Sequence, residues 1–382
     1  MTSAFVPYGR QIVDLDDVAA VSEVLLSDWL TTGPAVDRFE TAFADFVGAD
    51  HAVAVSNGTA ALHLSVLAAG IEPGDEVIVP ALTFVASANC VRYAGADVVF
   101  AEVMDDTLNI DPDHVASLIT DRTRAIVAVD YGGMPCDLDD LLNLANHHGL
   151  TLIEDACHAV GADYRGRPIG SIAHMSTFSF HPVKHLTTGE GGMVTTSDGE
   201  LATRLRKLRN HGIDSDFRQR EETGTWVYDM RQLGFNYRLS DINCALGASQ
   251  IAKLPEWVET RRQLAARYDD GFSQVANVRR PVEPADRRGS WHLYPVRLVG
   301  PDVPSLRRQA FDHLRSHGIG VNVHYLPVYL HSYYRNLGYR PGLCPIAEKA
   351  YEGLLSLPMW PGLGRDDQDR VVDLLTTVTS RL

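Results

Sequence analysis

Short runs of β-branched and apolar residues alternate with helical patterns up to about residue 255, and few folds accommodate that grammar. The candidate strands are Ala52–Val55, Glu76–Val79, Asp97–Phe100, Ala125–Val129, Leu152–Glu154, Thr177–Phe180 and Met193–Thr196. Helical segments fit between them, such as Ala60–Ala69, closed by Gly70, and Leu138–His147, closed by Gly149 as a C-cap. Strands that alternate with helices are the signature of an α/β layer structure. The runs starting at 125 and 152 are nearly all apolar, as strands covered on both faces must be. The expectation is an α/β fold with a large layered sheet.

Beyond residue 255 the pattern changes. A charged helical stretch at Trp257–Tyr268 leads to strand candidates at His292–Leu298 and Val321–His324, accompanied by helical segments at Ser305–Ser316 and Ala347–Leu355. This predicts a small C-terminal α+β domain over 256–382 beside a large α/β domain over 1–255, although no Pro/Gly/Ser linker separates them. A chain of 382 residues is long enough to bury both cores.

Composition removes several classes of function. A net charge of −15 argues against nucleic-acid binding, which calls for a basic face. It leaves room for an anionic small substrate, which a few arginines and helix N-termini can hold locally. Cys90, Cys136, Cys157, Cys244 and Cys344 are scattered without a CxxC pair or a Cys/His cluster, so they read as reduced, mostly buried thiols and no metal is expected. The opening Met-Thr-Ser-Ala-Phe-Val-Pro-Tyr lacks a basic region followed by an apolar one, and no run is apolar enough to span a membrane. A cytoplasmic protein without membrane contacts is the expectation.

Lys184 carries the first chemical signal. It stands in Ser176-Thr-Phe-Ser-Phe-His-Pro-Val-Lys184-His-Leu-Thr-Thr-Gly-Glu-Gly-Gly-Met, after an apolar strand and before a Gly-rich turn. An amine in a partly desolvated strand-end pocket loses its proton readily and condenses with carbonyls. The Gly189–Gly192 run permits close backbone approach to a ligand. The same segment also fits an ordinary turn with an exposed lysine. Asp155 ends the strand Thr151-Leu-Ile-Glu-Asp155, where ligands of open α/β sheets bind. A carboxylate there can keep a pyridinium nitrogen protonated, or simply cap a helix. His158, three residues on, has a flat ring suited to stacking. Ser56-Asn-Gly-Thr59-Ala60 opens a helix directly after a strand, the geometry of a phosphate seat. No GxxxxGK[ST], strand-linked GxGxxG or Gly-x-Ser-x-Gly is present.

Taken in order, Ser56-Asn-Gly-Thr-Ala-Ala-Leu62, Glu154-Asp-Ala-Cys-His-Ala159, Phe178-Ser-Phe-His-Pro-Val-Lys-His-Leu-Thr-Thr-Gly-Glu-Gly-Gly192 and Gly234-Phe-Asn-Tyr-Arg-Leu-Ser-Asp241 resemble the DegT/DnrJ/EryC1/StrS sugar aminotransferases. The resemblance implies a fold-type I, aspartate-aminotransferase-like enzyme that works as a homodimer with pyridoxal 5′-phosphate (PLP). It makes Lys184 the Schiff-base lysine, Asp155 the partner of the pyridine nitrogen and His158 the stacking ring, with Phe84 against another side. Thr59, Ala60 through its N–H, and Ser179 become phosphate ligands, joined by Asn236 of the neighbouring subunit. Tyr237, Arg238 and the turn Thr31-Thr32-Gly33 border the substrate. Deoxygenating relatives carry His in place of the lysine, so Lys184 favours transamination. His-Pro-Val-Lys-His, Ala128-Val-Asp-Tyr-Gly and Val323-His324-Tyr325-Leu-Pro-Val-Tyr329 are most similar to the pseudaminic acid branch of the family, adding His324 and Tyr325 to the substrate residues. That branch implies a UDP-linked 4-keto-6-deoxy-N-acetylhexose as acceptor and L-glutamate as donor. Alternatives are a family member that aminates another keto-sugar or an aminocyclitol precursor, and a PLP-binding regulator without turnover.

Overall fold

The computed structural model describes residues 5–215 and 217–380; Met1–Ala4 of the N-terminal stretch lie outside it. Every strand expected before residue 200 is present, with bounds shifted by a residue or two. They are β1 (His51–Val55), β2 (Glu76–Pro80), β3 (Asp97–Ala101), β4 (Thr123–Val129), β5 (Thr151–Asp155), β6 (Met175–Ser179) and β7 (Gly192–Thr196). They form one seven-stranded sheet in the order β1-β7-β6-β5-β4-β2-β3. Only β7 runs against its neighbours β1 and β6; the other pairings are parallel.

Alternation along each strand sends side chains to two cores. Ala52, Ala54, Ile126, Ala128 and Leu152 pack with Phe39, Phe43 and Leu141 from helices on one face. Val53, Val55, Val127 and Ile153 pack with Leu62, Leu64 and Val91 from helices on the other. The helix expected at 60–69 spans Gly58–Ala68, capped by the Asn57 side chain. The one expected at 138–147 spans Leu138–His148 and ends on Gly149, which is left-handed at φ 67°.

A second, antiparallel sheet joins β8 (Val278–Arg279), β9 (Tyr294–Leu298) and β10 (Leu354–Leu357) in that order. Its core includes Tyr268, Tyr294, Val296, Leu314, Leu355 and Leu375. The helix Leu254–Gly271 runs across residue 255 without a break. Two expectations need correction. Residues 321–324 are not a strand: only Asn322 bridges, to Ser356. The polar groups of His324 are spent elsewhere, its carbonyl accepting from Tyr131 Oη and its Nδ1 meeting Ser356 Oγ at 2.8 Å. The helix expected at 347–355 ends at Gly353, and Leu354 and Leu355 pair with Arg297 and Val296 in the sheet. Of the five cysteines, all free, Cys157 alone is not fully buried. Among the described residues, no helix is long and apolar enough to cross a membrane.

Candidate active site

The carboxyl ends of β1, β5 and β6 converge on one side of the sheet, and the residues singled out from the sequence meet there. Asp155, the last residue of β5, is buried with both oxygens engaged. Ser87 Oγ donates to Oδ2 at 2.7 Å, and Thr83 Oγ1 lies 2.8 Å from Ser87. The Cys157 N–H donates to Oδ1 at 3.3 Å. One oxygen therefore serves the following turn, as a cap would, while the carboxylate as a whole is aimed and rigid. Ser87 was not singled out from the sequence; its only trace there is a hydroxyl four residues after Thr83, one helical turn on.

Lys184 sits half-buried in the loop after β6, its N–H donating to the His181 carbonyl at 2.9 Å. Burial, reinforced by the Arg261 charge, pulls its amine down to about 8, against the opposing pull of Cys157 and Asp155. An amine in that range is partly neutral at ordinary pH and can act as a nucleophile and proton carrier. His158 is buried, and burial pushes it well below the usual imidazole range, helped by the charges of Lys184, His324 and His185. Its Nε2 lies 3.3 Å from Tyr325 Oη, and the two rings are nearly parallel at 20°. Burial and the Lys184 charge lower His324 to about 4. Phe84 is exposed, with its ring 5.9 Å from that of Tyr325.

The turn after β1 is packed onto Ser179. A Cβ placed on Gly58 would come within 2.9 Å of Ser179 Cβ and 3.2 Å of Cys157 Sγ, so only glycine brings the helix N-terminus this close. Thr59 and Ala60 thus stand beside Ser179, and the Ala60 N–H is meanwhile held by Asn57 Oδ1 at 2.8 Å. In the Gly189–Gly192 run, one close approach is within the protein itself. At Gly192 an added Cβ would lie 2.6 Å from the backbone of Asn57, so this close approach is between two protein segments. The buried pair Asp130 and Glu154 occupies the alternate positions to Asp155; burial, helped by the Glu154 charge, raises Asp130 well above its ordinary value, and burial also raises Glu154, against the hydrogen bonds from Ser176 and Asp130.

Of the other expected substrate residues, Arg238 bridges to Val55 at the end of β1, and Thr31 bridges to Ser240. Thr32 and Arg238 line a cavity of about 240 Å³ with Lys207, Asn210 and Arg218. Arg238 Nη1 donates to Asn210 Oδ1 at 2.7 Å. Asp241 holds the turn at 31–33 by accepting from the N–H groups of Gly33 and Ala35, at 2.7 and 2.9 Å. The Tyr237 carbonyl accepts from Ser56 N–H at 2.8 Å, tying this segment to the end of β1. Asn236 is exposed, and among the described residues its side chain makes no hydrogen bond to Thr59, Ser179 or Lys184.

A strand-end lysine of lowered basicity, a rigid buried carboxylate, a neutral ring and a helix N-terminus beside a serine fit a flat, phosphorylated, aldehyde-bearing cofactor. Fold and site together define the class: a fold-type I, PLP-dependent aminotransferase. The chain belongs to the DegT/DnrJ/EryC1/StrS aminotransferase family, whose model matches residues 11–376. It is 40% identical over 377 residues to the spore coat polysaccharide biosynthesis protein SpsC of Bacillus subtilis, covering 98% of this chain and 97% of that one. Among solved structures it is similar to Helicobacter pylori PseC, an aminotransferase involved in the biosynthesis of pseudoaminic acid, with TM-score 0.92, 31% identity, and 99% and 100% of the chains covered. The PLP-form of the putative sugar aminotransferase Spr1654 from Streptococcus pneumoniae superposes with TM-score 0.92 at 29% identity, with 99% of each chain covered.

Proposed function

We propose that this chain transfers the amino group of L-glutamate to a UDP-linked 4-keto-6-deoxy-N-acetylhexosamine, at C4. The observation that carries the reaction is the meeting of Lys184, Asp155 and His158 at the strand ends. Bound PLP supplies an electron sink for the carbanion formed when the donor loses its α-proton. Lys184 holds the cofactor covalently at rest. Once displaced, its Nζ would be free to take the α-proton of the donor and to give a proton back later in the cycle, so a single amine serves as base and then acid. Asp155 keeps the pyridine nitrogen protonated, and His158 lies against the ring. Thr59, Ala60 and Ser179 hold the phosphate. The sugar is then aminated by the same steps in reverse, a two-stage cycle with one product leaving before the acceptor binds.

Placement of His324 and Tyr325 beside His158 and Lys184 supports the substrate reading, because residues 323–329 carry the likeness to the pseudaminic acid branch. Phe84 and Tyr325 offer an apolar wall for a 6-methyl group. A methyl contact is worth only about 1–3 kcal/mol, so related sugars should react more slowly rather than not at all. The decisive comparison is the specificity constant for UDP-4-keto-6-deoxy-AltNAc against its gluco isomer and against dTDP-4-keto-6-deoxyglucose. Preference for the thymidine nucleotide would reject the substrate and leave the aminotransferase intact.

We also propose a homodimer in which Asn236 reaches the phosphate of the other copy, with the small α+β domain of residues 256–382 set against the large one. Support comes from the segment before Asn236, where Trp226, Val227, Tyr228, Met230 and Leu233 are all exposed, a concentration of apolar surface that a lone chain rarely leaves uncovered. Mixing inactive Lys184→Ala and Asn236→Asp chains tests it. Once subunits exchange, activity should return at the one site that is intact; confirmed exchange without activity rejects the shared site.

A further inference from the structure

Three buried histidines stand in a column behind the reacting groups. The ring of His292 lies 4.6 Å from that of His158 and 5.7 Å from that of His185. Among the described residues, each has an Nδ1 with no protein partner. His185 Nε2 donates to the Ser290 carbonyl at 3.0 Å, which leaves its Nδ1 as a bare acceptor. The titratable and charged residues acting on this column are Lys184, His324, Tyr325, Arg261 and Arg262.

Much of the local backbone is committed to delivering His292. The Ser290 and Leu293 N–H groups donate to the carbonyls of Gly133 and Gly132 at 2.9 and 3.1 Å. Ser290 Oγ donates to the His158 carbonyl at 3.2 Å, and buried Arg261 donates to the Trp291 and Met359 carbonyls at 3.2 and 2.9 Å. Gly133, at φ 98°, has no room for a side chain: a Cβ would lie 2.7 Å from the His158 carbonyl and 2.9 Å from His292 N. Trp291 holds a left-handed φ of 54°, a cost that persists only where the surroundings enforce it. A buried nitrogen without a partner is unfavourable, and a phenyl ring would fill the same space without that cost. Stability alone therefore does not account for an imidazole at position 292.

We propose that His292 is a positioning residue for His158: its ring sets the angle of the His158 ring, and its polar edge sets which nitrogen of His158 faces Tyr325. This rests on the reading of His158 as the ring that lies against the cofactor. His185 backs His292 from the other side, next in sequence to Lys184, so one column touches both the amine and the stacking ring.

The test compares His292→Phe, His292→Asn and His158→Phe as PLP-loaded proteins. The readouts are the pH midpoint of the visible absorbance of bound cofactor, the cofactor dissociation constant, kcat and KM. His292→Phe should keep the thermal transition of the wild type, lower kcat about tenfold, leave KM for glutamate unchanged and move the absorbance midpoint. His292→Asn, which presents a polar atom near the place of Nδ1, should recover most of kcat and the midpoint. If His158→Phe alters absorbance and affinity while His292→Phe changes neither, His292 is a space-filling ring and the inference is wrong. If His158→Phe itself leaves absorbance and affinity unchanged, the underlying role of His158 fails instead. Should the Phe variant not fold, His292→Leu carries the same expectations.

Discussion

The strand-end pocket around Lys184 and the segment from Asn210 to Arg238 are built on opposite principles. In the pocket, Asp155 and His158 are nearly inaccessible, at 5% and 6% exposure. Asp155 is further held by two hydrogen bonds and His158 by ring contacts. Along the segment, Trp226 and Leu233 stand 85% and 78% exposed, and the charges are paired on the surface, as in Arg231 with Asp214 and Asp229. Rigid burial suits chemistry that must repeat on one cofactor. Open surface suits recognition completed by another molecule, whether substrate or second subunit.

The largest effects should come from the pocket. Lys184→Ala should lower turnover by about 10³-fold or more, because the covalent link and the proton carrier are lost together. Borohydride treatment of the wild type should fix the cofactor on the peptide containing Lys184; label on another lysine would overturn the assignment. The same residue predicts an effect on stability. Its amine is lowered to about 8 in the fold, so between there and its ordinary value of 10.5 the unfolded chain binds more protons. Cofactor-free Lys184→Met should therefore melt above the wild type below pH 8, and the gap should close as pH rises toward 10.5. A gap that widens with pH would contradict the assigned burial.

Asp155→Asn should come next, with the fold kept and turnover reduced by about 10²-fold, since a neutral amide no longer holds the pyridine nitrogen protonated. Near-normal turnover would reduce Asp155 to its contact with Cys157. Arg238→Ala probes the other region and should separate the two. KM for the nucleotide sugar should rise roughly tenfold with kcat and the glutamate half-reaction little changed, the signature of lost uniform binding. A fall in kcat for both half-reactions would place Arg238 with the pocket. The smallest effect belongs to Asn57→Ala, which removes a helix cap and should cost about 1 kcal/mol in a denaturant melt.

The same contrast explains what the sequence disclosed. Lys184, Asp155, His158 and the Ser56–Ala60 turn are local signals, each at a strand end that hydrophobic patterning locates. Ser87, Asp241, His292 and Arg261 are not. Each acquires its role from a partner far along the chain, Ser87 from Asp155 and Asp241 from the turn at 31–33, and no spacing rule connects them. The failed strand at 321–324 has the same origin. Its alternation is right, but Tyr131 claims the His324 carbonyl, which a ladder would have used.

The single reversed strand has a further consequence for how the chain assembles. His51, at the start of β1, pairs with Thr196, at the end of β7, so the edge of the sheet closes only after a loop of more than a hundred residues has formed. Contacts of such long separation slow folding, since chain entropy is lost before the pairing compensates. During synthesis β1 must wait, unpaired, until β7 has been made. The contact between Gly58 and Ser179 waits with it, because Gly58 follows β1 and Ser179 ends β6. The packing of that turn against β6 is therefore a late product of folding, and a chain interrupted before residue 192 would present the bare edges of β1 and β6 as templates for aggregation.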